Sequence, residues 1–239
     1  VVFNKETTEW QLSYDGRKAE PVFLPVKFPL VLAMGVEGIA VGLSTKILTH
    51  NFCELILASI EVLKGNPTKI LPDFANGGFI DVTDYNSAEK GSKIRCRAKM
   101  EVADKKTILI KEIPYGTTTS SLIDSIIKAN DKGKIKIKKV TDNTAANVEI
   151  AIELAAGVSP DVTVDALYAF TDCEISISPS TCVIEDDTPL FLTVDEILRR
   201  STKNTKNLLK LELELRLAEL NEKWHFSSLE KIFIENRIY

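Results

Sequence analysis

Cysteine is scarce and unpaired in this 239-residue chain. Cys53, Cys96, Cys173 and Cys182 form no C-x-x-C pair, and the two histidines, His50 and His225, complete no zinc set with them. Those spacings argue for free thiols in a reducing compartment, not for a disulfide framework or a metal knuckle. No apolar run approaches the roughly 20 residues that a membrane span needs, and a signal peptide is not expected. The glycines of Gly35-Val36-Glu37-Gly38-Ile39-Ala40-Val41-Gly42 lack the Gly-Lys-Ser/Thr ending of a phosphate loop. A tight apolar turn packed at close approach is the expectation for them. No nucleophile stands beside a histidine and an acid in a recognisable catalytic motif. The run Glu185-Asp186-Asp187 reads as a solvated loop in preference to a Mg²⁺ site. There is no initiator Met at Val1-Val2-Phe3, and the end at Arg237-Ile238-Tyr239 falls inside a helical pattern. A piece of a longer protein is expected.

What is present is a folded composition, 44% hydrophobic and 27% charged, with the charge segregated. Residues 1–141 carry 21 basic and 16 acidic side chains, residues 142–198 carry 12 acidic and no basic ones, and residues 199–239 carry 9 basic and 6 acidic. A net charge of -4 therefore hides basic surface that can meet a polyanion and an acidic stretch that should point away from one. Over 92–100, Lys93, Arg95, Arg97 and Lys99 alternate with Ile94, Cys96, Ala98 and Met100, which puts four cations on one face of a strand. Lys134, Lys136 and Lys138 repeat the device over 134–139. Each stripe reads either as a polyanion contact or as a charged strand face that resists aggregation.

Three prolines, Pro21, Pro25 and Pro29, keep residues 1–34 irregular. Asn51 caps an expected helix over 52–64, with Ile56, Ile60 and Leu63 on one face, and Gly65-Asn66-Pro67 ends it. From 107 the pattern reads strand (108–111), helix (118–130, burying Leu122, Ile126 and Ile127), strand (134–140), strand (147–155), helix (160–170) and strand (173–178). That is a β-α-β-β-α-β split plait on an antiparallel sheet, so the fold class is α/β of the α+β kind. Thr193-Val194-Asp195-Glu196 and Ser227-Ser228-Leu229-Glu230 are capping boxes that predict two helix starts. Between them, Leu213, Leu217, Leu220 and Trp224 form one apolar stripe and Leu208, Leu211 and Leu215 another, as in a helical arm missing a partner.

One segment is far more specific. Leu24-Pro25-Val26-Lys27-Phe28-Pro29, followed by Gly35–Gly42 and Leu43-Ser44-Thr45-Lys46-Ile47-Leu48-Thr49-His50-Asn51, resembles the A subunit of bacterial type IIA topoisomerases, gyrase and topoisomerase IV. The family pattern is L-P-x-x-x-P, then G-x-x-G-I-A-V-G-[ML]-[AS]-T-x-I-P-P-H-N. Pro72-Asp73-Phe74-Ala75-Asn76-Gly77-Gly78 is similar to its P-D-F-P-T-G-G, Glu112-Ile113-Pro114-Tyr115 to its E-I-P-Y, and Asp165-Ala166-Leu167-Tyr168 to its N-x-L-Y.

The resemblance implies a tower domain followed by the root of a coiled-coil arm: the first part of the tower over 1–100, its plait over 101–190 and the start of the arm over 191–239. It implies a cytoplasmic DNA topoisomerase, with double-stranded DNA, a B subunit and a second A subunit as partners and no membrane contact. The family's nucleophilic Tyr sits in an A-x-R-Y motif that does not occur here, so neither Tyr14 nor Tyr239 inherits it and no catalytic or metal residue is expected. Mg²⁺ and ATP belong to the B subunit. The expected role is DNA bending. By the same resemblance Ile47 is the apolar wedge between base pairs, and Lys46, Thr45, His50 and Asn51 lie against the backbone beside it. Leu48-Thr49 stands where the family has Pro-Pro. Lys93, Arg95, Arg97 and Lys99 complete the expected DNA-binding set. Two rival readings are a structural spacer and a free-standing RNA-binding plait. The latter needs aromatic residues on central strands, which the basic stripes lack.

Overall fold

The computed structural model describes residues 3–85, 92–185 and 187–239. A 3-10 turn at Lys5–Thr7 leads to a hairpin of β1 (Trp10–Leu12) and β2 (Ala19–Pro21). Short helix α1 (Leu30–Met34) feeds a second hairpin, β3 (Val36–Ile39) and β4 (Ser44–Ile47), then α2 (Phe52–Lys64). Strands β5 (Phe79–Asp81), β6 (Ile94–Arg97), β7 (Lys99–Asp104) and β8 (Thr107–Glu112) precede α3 (Thr119–Asp131). Then follow β9 (Ile137–Asp142), β10 (Ile150–Leu154), α4 (Pro160–Phe170), β11 (Glu174–Ile177), β12 (Cys182–Glu185), β13 (Thr188–Phe191) and α5 (Val194–Glu235). The fold is the expected mixture of antiparallel sheets and helices. Two compact units interleave along the chain: one holds the stretch up to Leu30, Leu55–Thr68 and Asp195–Tyr239, the other Val31–Glu54 and Lys69–Val194.

The second unit contains the expected order β8-α3-β9-β10-α4-β11, but its hydrogen bonding differs in one respect. The four-stranded sheet runs β7-β8-β10-β9, and β11 is not in it. β11 pairs instead with β6 in a three-stranded sheet, β11-β6-β5. The cause is a corner at Ala98. β6 and β7 follow one another with only Ala98 between them, so the chain leaves the first sheet there and joins the second. Ala98 is fully buried, its N–H donates to Cys173 O (2.8 Å), and the Tyr168 hydroxyl donates to its carbonyl (2.8 Å). Both polar groups freed from the ladder are thus satisfied.

Two apolar cores flank the corner. The larger gathers Ile108, Ile110, Ile150 and Ile152 beneath Leu122 and Ile126 of α3 and Leu167 of α4. Each fully buried Ile or Leu contributes about 1.5–3 kcal/mol relative to exposure. Ile127, expected inside, is exposed, and Ala129 takes the buried place one turn on from Ile126. The smaller core joins Leu48 and Phe74 to Ile94, Cys96 and Ile177. The alternation over 92–98 is as read: Ser92, Ile94, Cys96 and Ala98 are buried and Lys93, Arg95 and Arg97 exposed. It ends at the corner, where Lys99 and Met100 are both half-buried. The second basic run is not a strand from 134. Gly133, at φ +68°, and backbone bonds from Gly133 to Asn130 and from Lys134 to Ala129 close α3 in a turn, so β9 starts only at Ile137.

α2 begins at its predicted cap, with Asn51 Oδ1 accepting from Cys53 N–H (2.9 Å) and Glu54 N–H (3.3 Å). α5 begins where the first capping box places it and then runs unbroken for 42 residues, about 60 Å at the rise of an α-helix. The second capping box starts no helix. Ser228 Oγ donates back to Trp224 O (2.7 Å), a bond that a serine within a helix can make without interrupting it. Lys27 Nζ grips both carboxylate oxygens of Glu212 on α5, at 2.7 and 2.9 Å, and Thr68 Oγ1 donates to Asp195 Oδ1 at 3.2 Å. Beyond these anchors Leu213, Leu217, Trp224 and Phe226 are exposed, the unpartnered face expected of an arm.

Burial pushes the thiols of Cys96 and Cys173 up to about 11, whereas Cys53 is exposed. At neutral pH a soluble maleimide should therefore label Cys53 in the native protein and spare Cys96 and Cys173, with all thiols reacting after denaturation. Peptide mass spectrometry reads the order, and rapid native labelling of Cys173 would contradict the packing of the larger core.

Candidate nucleic-acid interface

The β3–β4 hairpin is the most polarised feature of the second unit. Its register is Val36↔Ile47, Glu37↔Lys46, Gly38↔Thr45 and Ile39↔Ser44, closed by Ala40 N–H to Leu43 O (2.8 Å). Gly42 has φ +76° with no atom near where a Cβ would stand, so backbone conformation and not space demands glycine. Gly35, at φ +67°, is the opposite case: a Cβ there would meet Ile47 O at 2.8 Å. The close approach expected for this glycine-rich segment thus exists at its root and not at its tip. Ile39 is 93% exposed and Val41 103%, whereas Ile47 is 3% exposed. Ile47, the expected wedge, is buried in the root; the most exposed large apolar side chains of the hairpin are Ile39 and Val41. Their exposure has a signal in the sequence, since Ile39-Ala40-Val41 lies between two glycines with no polar residue.

The other residues expected on the DNA backbone have intramolecular partners. Lys46 Nζ pairs with Glu37 (3.0 Å), directly opposite in the hairpin. Thr45 Oγ1 donates to Ser180 O (3.3 Å), and the Lys46 and Ser180 backbones exchange two hydrogen bonds. His50 is buried, its N–H donating to Leu32 O (2.9 Å) and its Nδ1 lying 3.1 Å from the same oxygen. Asn51 caps α2 and donates through Nδ2 to Asp73 Oδ2 (3.0 Å). Leu48 and Thr49 are held as well, Leu48 in the smaller core and Thr49 on Asp73.

The two basic stripes differ. On the first, three of the four cations face carboxylates of adjacent strands: Arg95 with Asp81 (3.8 Å), Arg97 with Glu174, and Lys99 with Glu112 (3.2 Å). The Arg97 guanidinium also lies over the Tyr168 ring, 5.0 Å from its centre. Cross-strand pairing neutralises this stripe. The second belongs to a cluster at the α3–β9 turn, where Lys128, Lys132, Lys134, Lys136 and Lys139 are all exposed. Lys138 there pairs with Glu153 (3.3 Å), and Lys134 lies 5.3 Å from the Phe170 ring centre. Asp186 of the acidic run lies outside the described residues.

The Glu112 carboxylate ties the 72–78 loop to β8. It accepts from Gly78 N–H (2.5 Å) and from Lys99 Nζ (3.2 Å), and Phe74 stacks on Tyr115 with ring centres 4.3 Å apart. The two short motifs Pro72–Gly78 and Glu112–Tyr115 therefore interlock. The Gly78 bond, and secondarily Lys99, hold Glu112 below the ordinary carboxylate value of 4.5.

The fold is thus a mixed α/β one of antiparallel sheets with a long C-terminal helix, and similarity to known proteins gives the family. The family model for the A subunit of DNA gyrase/topoisomerase IV matches residues 2–238. The chain is 43% identical to the A subunit of DNA topoisomerase 4 from Borreliella burgdorferi, over 98% of its own length and 37% of that relative. It is 33% identical to the A subunit of DNA gyrase from Lawsonia intracellularis, over 90% of this chain and 29% of the relative. The chain belongs to the family of DNA gyrase and topoisomerase IV A subunits. It spans about a third of the length of these curated relatives. No helix among the described residues is long and apolar enough to cross a membrane.

Because a lowered carboxylate stabilises the fold above its unfolded value and loses that contribution as pH falls through the folded one, Glu112→Gln should cost most near neutrality. The expected loss is about 1 kcal/mol at pH 7, modest because the side chain is one-third exposed and screened. It should shrink as pH is lowered below 4.5. Thermal melts of both proteins across pH 3–7 check this, and a pH-independent difference would remove the charge from the explanation.

Proposed function

We propose that this chain is the DNA-binding and DNA-bending tower portion of the A subunit of a type IIA topoisomerase, with the root of its coiled-coil arm. In the whole enzyme it supports ATP-dependent passage of one duplex through another, with a B subunit and a second A subunit, in the cytoplasm. Identity favours the topoisomerase IV type: 43% with that protein of B. burgdorferi against 28% with the corresponding gyrase protein of the same organism. Mg²⁺ and ATP are assigned to the B subunit and the nucleophilic tyrosine to a part of the A subunit outside this sequence, so this portion alone neither cleaves DNA nor hydrolyses ATP.

The observation that carries the reading is the hairpin tip. Two β-branched side chains stand in water at Ile39 and Val41, where burial against something else is favourable. An apolar wedge entering a base step costs a few kcal/mol of unstacking, which contacts of the bent duplex with basic surface offset. The wedge role expected of Ile47 moves to Ile39, with Val41 beside it. Cations at the α3–β9 turn supply the sequence-independent attraction, because those lysines are less neutralised than the 93–99 stripe. The 12 carboxylates of 142–198 favour an orientation away from the duplex.

The test compares three variants in the intact protein with a dye-labelled duplex. Ile39→Ala should leave melting temperature and initial affinity nearly unchanged while sharply reducing bending, since bending a site costs on the order of 1–6 kcal/mol. Ile47→Ala should instead destabilise the fold by about 2–5 kcal/mol through a cavity. Lys132→Glu with Lys134→Glu should weaken binding and flatten its salt dependence without changing the bend of the bound duplex. Energy transfer between the duplex ends, anisotropy titrations and melts report these. Normal bending by Ile39→Ala would leave the structural-spacer reading.

A further inference from the structure

The tip of a hairpin is aimed by its root. From Val36 and Ile47 to Val41 is about five residues, or about 17 Å of extended strand. A tilt of a few degrees at the root therefore moves the tip by more than an ångström, a large error for a side chain that must meet one base step. The root is held by backbone bonds on two flanks, to Leu32 and to Ser180. Its third support is polar and involves side chains. Asp73 N–H donates to Thr49 O (2.9 Å), and Thr49 Oγ1 donates back to Asp73 O (2.7 Å), a closed ring between the end of β4 and the 72–78 loop. The Asp73 carboxylate then accepts from Asn51 Nδ2 (3.0 Å), while Asn51 Oδ1 caps α2. Asp73 in this way joins the hairpin root, the start of α2 and its own loop.

That loop is itself fixed. Phe74 is buried against Leu48 and stacked on Tyr115, and Gly78 is tied to Glu112. Rigidity at β8 is therefore passed through the loop to Thr49 at the base of the hairpin. Resting on the DNA-bending reading above, we infer that Thr49 and Asp73 are positioning residues: they touch no DNA, and their hydrogen-bonded ring together with the Asp73 carboxylate's bond to Asn51 sets the direction in which Ile39 and Val41 point. Leu48-Thr49 aims the hairpin by side-chain contacts, one apolar and one polar.

Thr49→Val keeps the branched shape and removes the donor, Thr49→Ser keeps the donor, and Asp73→Ala removes only the carboxylate. In the intact protein Thr49→Val should lower the bent fraction of bound duplex about threefold to fivefold, the loss of one hydrogen bond, with affinity changed less than about twofold. Amides of Val36–Ile47 should exchange faster with deuterium, and Thr49→Ser should restore both readouts. Should Thr49→Val fail to fold, Asp73→Ala, which leaves the ring intact, carries the test with a smaller loss of the same kind. Wild-type bending in Thr49→Val or in a folded Asp73→Ala, or no rescue by Thr49→Ser, overturns the positioning role. Ile39→Ala measured in parallel separates the two readings. If it bends DNA normally the bending function falls, and if it alone is defective only the positioning role falls.

Discussion

The second unit depends on one buried corner. At Ala98 the chain passes from β6 of a three-stranded sheet to β7 of a four-stranded one, and the two cores lie on either side of it. A side chain larger than methyl would have to displace neighbours at a site with no exposed surface. The freed N–H and C=O are taken up by Cys173 and Tyr168, so the last helix of the plait and the strand after it are tied to the corner. Through β6 the corner also sets the smaller core, where Leu48 anchors the β3–β4 hairpin. The Asp165–Tyr168 motif is explained here: Leu167 fills the larger core and Tyr168 satisfies the bend.

The hairpin combines two physical regimes within a few residues. Its root is dry and heavily hydrogen-bonded, with Gly35 allowing the backbones to approach and Ile47 and Leu48 buried. Its tip is apolar and solvated. A rigid base carrying an exposed apolar end is the arrangement a wedge requires, because a side chain free to fold back would not hold a base step open. The interlocked loops at 72–78 and 112–115 belong to this base, and their glycines are there for close approach: a Cβ on Gly78 would meet Arg97 O at 2.7 Å.

Charge tells a similar story about context. Alternating cations over 93–99 look like a polyanion surface, yet Asp81, Glu112 and Glu174 come from three other strands to face them. The lysines at the α3–β9 turn gather through a helix end and not through strand alternation.

The sequence by itself determined the local elements and the family. The Asn51 cap, the Thr193 capping box, the period-two burial of 92–98 and the plait's order of strands and helices all follow from interactions within a few residues, so they are legible without a fold. The long motifs that carried the family resemblance are legible for the same reason. Tertiary structure decided what depends on distant partners. It sent β11 to a different sheet, because the corner at Ala98 is satisfied by residues more than 60 positions away. It carried α5 through Ser228, because a serine hydroxyl can bond within a helix as readily as cap one. It buried Ile47 and exposed Ile39, two isoleucines of one hairpin whose difference comes from what packs beneath the root and from nothing in their own identity.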